Sequence, residues 1–370
     1  MIAHTIAEYV WIDATGGLRS KTRVFNNCTT LDTVLNTDWN FDGSSTGQAY
    51  GRSSDVILHP VRGFNDPFRR DFKNATAFLI MCETLNPDKT PHRTNFRKLC
   101  MNACNKTKNF EPWFGMEQEY ILMNLFKKNT EIPTYSQPFG WSHQLCPNMI
   151  VDSQSTNIYV GDEILSTTYS YCSNGGDRAF GRNIVEKHFE YCLYAGIKIC
   201  GINAEVTPSQ WEFQIGICDA DEIGDHLWMA RYILSRVAEE FGAFVDFGAK
   251  PLGTNWNGSG CHTNFSTNTM RDGTEIERIN AITEACDCMS VSDFHQLHLN
   301  EYGDETNKNR LTGKHETASY EKFTYGYSDR GCSVRIPVDK TYLEDRRPAA
   351  NCDPYKVVTR MLNTIVLHEK

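Results

Sequence analysis

In the segment WFGMEQEY, Glu117 and Glu119 stand two residues apart among Trp113, Phe114, Met116 and Tyr120. Residues i and i+2 of a strand project from one face, so both carboxylates would leave an apolar, burial-prone stretch in the same direction. Like charges that close raise each other's pKa, whereas a divalent cation between them reverses the effect. A solvent-facing strand edge can also carry two acids, so the decision falls to further carboxylates in similar settings. NAEVTPSQWEF has Glu205 and Glu212 on either side of a Thr-Pro-Ser turn signal, each with apolar neighbours. YLEDRRP has Glu344 behind Tyr342 and Leu343, and NGSGCHTNFS sets His262 in what reads as a glycine-rich loop. Together these five glutamates and one histidine form a hard, oxygen-dominated donor set. Such a set suits Mg²⁺ or Mn²⁺, whereas zinc would favour Cys and His.

The elements that must position these residues belong to a large chain. With 370 residues and 40% hydrophobic content, the sequence can bury a sizeable core and divides into two domains. A net charge of −9 leaves no basic stripe for nucleic acid, so positive charge must be gathered locally, as a small anionic substrate requires. The N-terminus MIAHTIAEYVWIDATGG has no secretory or import pattern, and the longest clearly apolar run, Ala77 to Cys82, is too short to cross a bilayer. A cytoplasmic protein is expected, without nucleic-acid or membrane partners. The 14 cysteines form no CxxC pair and read as mostly buried free thiols.

Up to about residue 90, short β-rich runs (Glu8 to Ile12, Lys21 to Phe25, Val56 to Leu58, Ala77 to Cys82) alternate with turn residues. The segment NPDKTPHRTN marks a boundary. Beyond it, helix-like stretches (Arg97 to Lys106, Arg182 to Ala195, Asp225 to Phe241, Glu275 to Cys288) alternate with the strand-like segments that carry the carboxylates, which predicts an α+β body. Trp141 to Gly176, rich in Ser, Thr, Asn and Asp, reads as a long surface loop.

Eight separated segments occur in the order in which eukaryotic-type glutamine synthetases carry them: FDGSSTGQAYGRSSDVIL, WFGMEQEY, GINAEVTPSQWEFQIG, GDHLWMARYIL, KPLGTNWNGSGCHTNFS, NRLTGKHET, SVRIP and LEDRRPAANCDPY. The chain resembles that family over nearly its whole length. The resemblance implies a small β-grasp-like N-terminal domain, residues 7–90, followed by a large α+β catalytic domain, residues 96–370, with a curved antiparallel sheet. It implies a glutamate–ammonia ligase: ATP phosphorylates the γ-carboxylate of glutamate, and ammonia displaces phosphate from the γ-glutamyl phosphate.

By the same resemblance, Glu119, Glu205 and Glu212 hold one divalent ion and Glu117, His262 and Glu344 a second, with ATP as co-substrate. Arg310 resembles the clamp on the glutamate α-carboxylate, a task for a planar bidentate donor, and Asn257 and Gly258 the contacts to the amino-acid end of the substrate. Arg330, Arg335 and Arg346 match positions that hold nucleotide phosphates or the transferred group, with Arg330 and Arg346 also counted as catalytic. Asp42 resembles the carboxylate that binds ammonium and takes its proton, although Asp-Gly-Ser-Ser is also a good turn sequence. Glu316 resembles the acid of a flap that shields the acyl phosphate from water. The family's Asp loop serves the neighbouring subunit, which implies a homo-oligomer, a decamer of two stacked pentameric rings closed by heterologous contacts.

Two departures from the family pattern stand out. Between Trp141 and Gly181 the chain is longer than usual, with Tyr171 and Cys172 as the alignable remnant, and Val338 stands where an arginine commonly follows Ile-Pro. Two alternative functions compete: a ligase of the same fold acting on a larger amine, against which the intact FDGSS speaks, and a non-catalytic relative, against which the full ligand set speaks.

Overall fold

The computed structural model describes residues 4–26, 29–125, 136–140, 170–253, 256–313 and 317–370. The expected surface excursion at 141–176 therefore lies outside the described residues, apart from its last seven, and Glu316 lies outside them as well.

Five strands, β1 His4–Ile12, β2 Leu18–Asn26, β3 Trp39–Asp42, β4 Asp55–Asn65 and β5 Ala75–Leu85, form one sheet in the order β2-β1-β5-β4-β3. β1 and β5 run parallel at its centre and the other pairings are antiparallel. The β-rich runs read from sequence are the cores of four of these strands. β3 escaped that reading because its four residues are too few to display an alternation. One face of the sheet buries Tyr9, Trp11, Phe41 and Leu58 in a core of its own. The other sends Val10, Phe64, Leu79 and Met81 into the main core.

The helix α1 Leu31–Leu35 packs beside β4, and α2 Phe96–Thr107 leads into the body. There the strands β6 Trp113–Leu125, β7 Ser136–Pro138, β8 Ile199–Ala204, β9 Gln210–Asp219, β10 Ala243–Asp246, β11 Cys261–Ser266, β12 Tyr325–Tyr327, β13 Val334–Ile336 and β14 Leu343–Asp345 build a second sheet. Its order is β12-β13-β14-β11-β6-β9-β8, with β7 and β10 also paired to the long β6. All of these pairings are antiparallel except β12 with β13.

Helices cover the sheet: α3 Arg182–Ala195, α4 Ile223–Glu240, α5 Asn268–Asp272, α6 Glu275–Ser290, α7 Ser292–Glu301, α8 Asn307–Arg310 and α9 Pro354–Leu362. α4 is buried over most of its length because sheet and helices enclose it. α6 opens on a capping box, in which Thr274 and Glu277 satisfy each other's backbone N–H groups.

The two sheets are tied together by Asp225 of α4, a fully buried carboxylate that accepts from Arg62 of β4 at 2.9 Å, Arg97 of α2 at 2.8 Å and the Tyr355 hydroxyl at 2.7 Å. Burial pushes its pKa up, but the Arg97 contact, followed by Tyr355 and Arg62, outweighs burial and holds it below the usual carboxylate range. The cysteines among the described residues are free. Most are buried, whereas Cys172 and Cys200 are exposed.

Candidate active site

Strand register, more than local sequence, assembles the site. Across the second sheet, Asn203, Glu212 and Glu119 are lateral partners on β8, β9 and β6. One step along, Gly201, Gln214, Glu117 and His262 are partners on β8, β9, β6 and β11. A further step pairs Asn264 of β11 with Glu344 of β14, and Glu344 with Arg335 of β13. Side chains two apart share a face, so the three rows turn their polar groups the same way. His262 is thus a strand residue rather than the loop residue expected, because the glycine-rich loop ends before Cys261 and β11 pairs on both sides. Glu205 follows directly on β8.

These residues line a cavity of about 550 Å³. Its wall carries Glu117, Glu119, Glu205, Glu212, Glu344 and His262, together with Asn257, Gly258, Arg310, Arg330, Arg335 and Arg346. Two subsets bring their ligand atoms within 4.8 Å of one another: Glu117, His262 and Glu344, and Glu119, Glu212 and His262. The first equals one inferred ion set. In the second, His262 stands where the resemblance had Glu205, so the histidine lies between the two groups.

The electrostatics are those of carboxylates crowded out of water. Burial first, and then Glu205, pushes Glu119 up to about 8. Glu205 is pushed up to about 7, chiefly by burial. Glu212 is raised well above the usual range by burial and by Glu117, Glu119 and Glu205. Burial and the nearby Arg346 hold His262 well below its ordinary value, which leaves a neutral imidazole able to ligate a cation. Its Nδ1 is 3.6 Å from Glu117 and 3.8 Å from Glu344. Oxygen donors with raised pKa values around a neutral imidazole fit a divalent ion, which would bind in exchange for protons.

The arginines divide by exposure. Arg335 and Arg346 each donate to Glu344, at 2.5 and 2.6 Å, while Arg330 is exposed. Arg310 is 3% exposed and makes no direct ion pair among the described residues, although the charge of the more distant Glu119 acts on it. Its Nη2 donates to the carbonyls of Arg346, Arg347 and Pro348, whereas Nη1 makes a single long bond of 3.4 Å among the described residues. Its Nε donates to Asn307 Oδ1 at 3.1 Å, and a buried cation whose hydrogen bonds among the described residues go to neutral oxygens suits an incoming carboxylate. Gly258 has a packing reason beyond the approach of substrate: a Cβ there would lie 2.5 Å from Arg310 Cγ and 2.6 Å from the Ala249 carbonyl. The Oδ1 of Asn257 is buried without a hydrogen-bond partner among the described residues.

Asp42 does not line this cavity. It ends β3 on the surface and caps the short turn after it, accepting from Ser44 N at 3.0 Å and Ser44 Oγ at 2.7 Å. The Ser44 hydroxyl, with Ser54, the Ser44 amide and Ser45, lowers its carboxyl to about 2.

A second cavity of about 620 Å³ shares Glu117 and Gln214 with the first. Its walls are apolar and aromatic, with Trp113, Phe265, Ile217 and Tyr342, and the Arg271 guanidinium lies 3.7 Å from the Trp113 ring centroid. Sequence reasoning missed this cavity, as it missed Asn203, Gln210, Gln214, Tyr171 and Thr317 in the first. A signal was present for the amides: Asn203, Gln210 and Gln214 each lie two residues from Glu205 or Glu212.

The glutamine synthetase catalytic-domain pattern matches residues 92–292, and the glutamine synthetase beta-Grasp domain pattern matches residues 4–87. The chain belongs to the glutamine synthetase family. It is 46% identical over 372 residues to the glutamine synthetase of Mus musculus, covering 98% of this chain and 90% of that one. It is 44% identical to that of Homo sapiens, with the same coverage, and 44% to that of Xenopus laevis, over 98% of this chain and 85% of the relative. Membership at this identity over nearly the full length makes the chain an enzyme of ATP-dependent glutamine synthesis and makes the first sheet a β-grasp domain within an α+β fold. No helix among the described residues is long and apolar enough to cross a membrane.

Proposed function

We propose that the carboxylate-lined cavity is where glutamate and the terminal phosphate of ATP meet, between two divalent ions. The carrying observation is the convergence of five glutamates, His262 and four arginines on one cavity. Glu119, Glu205 and Glu212 would hold one ion and Glu117, His262 and Glu344 the other, with His262 near both. When bound, Mg²⁺ or Mn²⁺ neutralises charge on the phosphoryl group in transfer.

The chain's own residues have separate tasks in this reading. Arg310 Nη1 and Asn257 orient the glutamate α-carboxylate and its amino-acid end, with Gly258 admitting Arg310 beside them. Arg330, Arg335 and Arg346 supply fixed positive charge where the phosphoryl group passes. The apolar cavity next to Glu117 is of a kind that accepts a purine ring, which would put the triphosphate over the carboxylates. Glu316 closes the site against water, since an exposed acyl phosphate hydrolyses.

Asp42 is exposed and absent from its own chain's cavity wall, which supports its service to a neighbouring copy. There it would bind ammonium and accept its proton, in a closed homo-oligomer such as two stacked pentameric rings. Formation of the two sheets on either side of residues 90–96 supports domains at 7–90 and 96–370. A cytoplasmic location accords with the free buried thiols.

The test joins γ-glutamyl hydroxamate formation from glutamate, hydroxylamine, ATP and Mg²⁺ with a Mn²⁺ titration of the assembled protein. Turnover with two tight ions per chain is expected. Full turnover with a single ion per chain would sink the two-ion assignment.

A further inference from the structure

Each of the carboxylates Glu117, Glu119, Glu205 and Glu212 accepts a hydrogen bond from a side-chain amide. Asn264 Nδ2 donates to Glu117 at 2.8 Å, Gln210 Nε2 to Glu119 at 3.4 Å, Asn203 Nδ2 to Glu205 at 3.0 Å and Gln214 Nε2 to Glu212. Glu344, by contrast, is held by two guanidinium groups.

Two of the amides are joined: Gln214 Nε2 also donates to Asn203 Oδ1 at 2.6 Å. The relay thus has a fixed sense. Gln214 spends one N–H on Glu212 and the other on Asn203, whose own N–H goes to Glu205. Reversing either amide would set a carbonyl oxygen against a carboxylate. The backbone makes room for this arrangement, since a Cβ on Gly201, the register partner of Gln214, would lie 2.3 Å from Gln214 Oε1.

A neutral donor holds one carboxylate oxygen in place and leaves lone pairs for a cation, including on Glu205, whose second oxygen also accepts from the Val206 amide at 3.2 Å. It also adds no positive charge to compete with that cation, as a lysine or arginine at the same point would. We propose that Asn203 and Gln214 are positioning residues that orient Glu205 and Glu212 for the ion these share with Glu119. The inference rests on the two-ion reading above.

The test is a Mn²⁺ titration of the assembled protein followed by electron paramagnetic resonance, with Gln214→Met and Asn203→Leu as near-isosteric variants. Each should weaken one of the two ions by about 10- to 100-fold, the range for partners behind metal ligands, while the other changes less than about threefold. The double variant should lose little more than the worse single one, because both act through one relay. Unchanged affinity in both variants, or equal weakening of both ions, overturns the proposal. Metal-free melting temperatures identify a variant that has failed to fold, in which case the other decides. Wild-type protein that binds fewer than two ions overturns the two-ion reading itself, and the relay's role with it.

Discussion

Arg231 of α4 donates from Nε to Gln118 Oε1 at 2.8 Å, and Gln118 is the residue of β6 between Glu117 and Glu119. The same guanidinium donates to the carbonyls of Ala350 and Cys352, each at 2.9 Å, beyond the β14 strand that carries Glu344. Behind the carboxylate face, one buried cation therefore ties together two of the chain segments that carry the candidate ligands. Arg231→Met should leave two buried oxygens, Gln118 Oε1 and the Cys352 carbonyl, without their donor, the Ala350 carbonyl keeping Gln118 Nε2, and cost about 3 kcal/mol. A drop in the chemical denaturation midpoint would register this loss, and a midpoint equal to the wild type's would show that the tie is unimportant.

Loss of a charged ligand should be felt in the chemistry before it is felt in the fold. Glu119→Ala and Glu212→Ala are expected to abolish glutamine synthesis at saturating Mg²⁺, because the ion is left short of ligands. Both variants also remove a buried carboxylate whose ionisation opposes folding, so their metal-free melting temperatures should not fall. Near-wild-type turnover in either would remove that residue from the ion site.

Stability should depend on pH in the direction that raised carboxyls require. Glu119 moves from an ordinary value of 4.5 to about 8 on folding, and Glu205 to about 7. A group raised in the folded state contributes stability that is complete below its unfolded value and is lost as pH rises through the folded one. The metal-free protein should therefore melt progressively lower between about pH 5 and pH 8, and saturating Mg²⁺ should flatten that decline. At pH 7, metal binding should release at least one proton, measured by calorimetry in buffers of different ionisation enthalpy. Proton-neutral binding would contradict the raised values.

The displaced position of Asp42 makes a complementation experiment decisive. Asp42→Ala and Glu119→Ala chains should each be inactive alone, yet co-assembled oligomers should recover a substantial fraction of activity. In such oligomers an intact Asp42 loop can meet an intact carboxylate cavity on its neighbour. No recovery in oligomers shown to be mixed would mean that Asp42 serves its own chain.

Glu316→Ala should still bind ATP and glutamate but form less amide per ATP consumed, because water then reaches the acyl phosphate. Loss of nucleotide affinity at an unchanged yield per ATP would assign the residue a structural role instead.

The sequence by itself determined which residues are candidates for the chemistry and how neighbours along a strand are oriented. The i, i+2 rule set Glu117 beside Glu119, apolar flanks marked Glu212 and Glu344 as buried, and helical patterning located α2, α3, α4 and α6 to within two residues, whereas Glu205, marked in the same way, is half-buried just past β8. Only the tertiary structure decided which strand lies beside which, and hence that His262 faces Glu117, that Asn264 faces Glu344 and that Gln214 reaches both Asn203 and Glu212. Register between strands distant in sequence is fixed by packing of the sheet's buried face and by the turns around it, not by any periodicity within one strand. For the same reason, the removal of Asp42 from its own chain's cavity was not legible in FDGSS: the motif specifies a turn and an anchored carboxylate, while the fold decides what that carboxylate can reach.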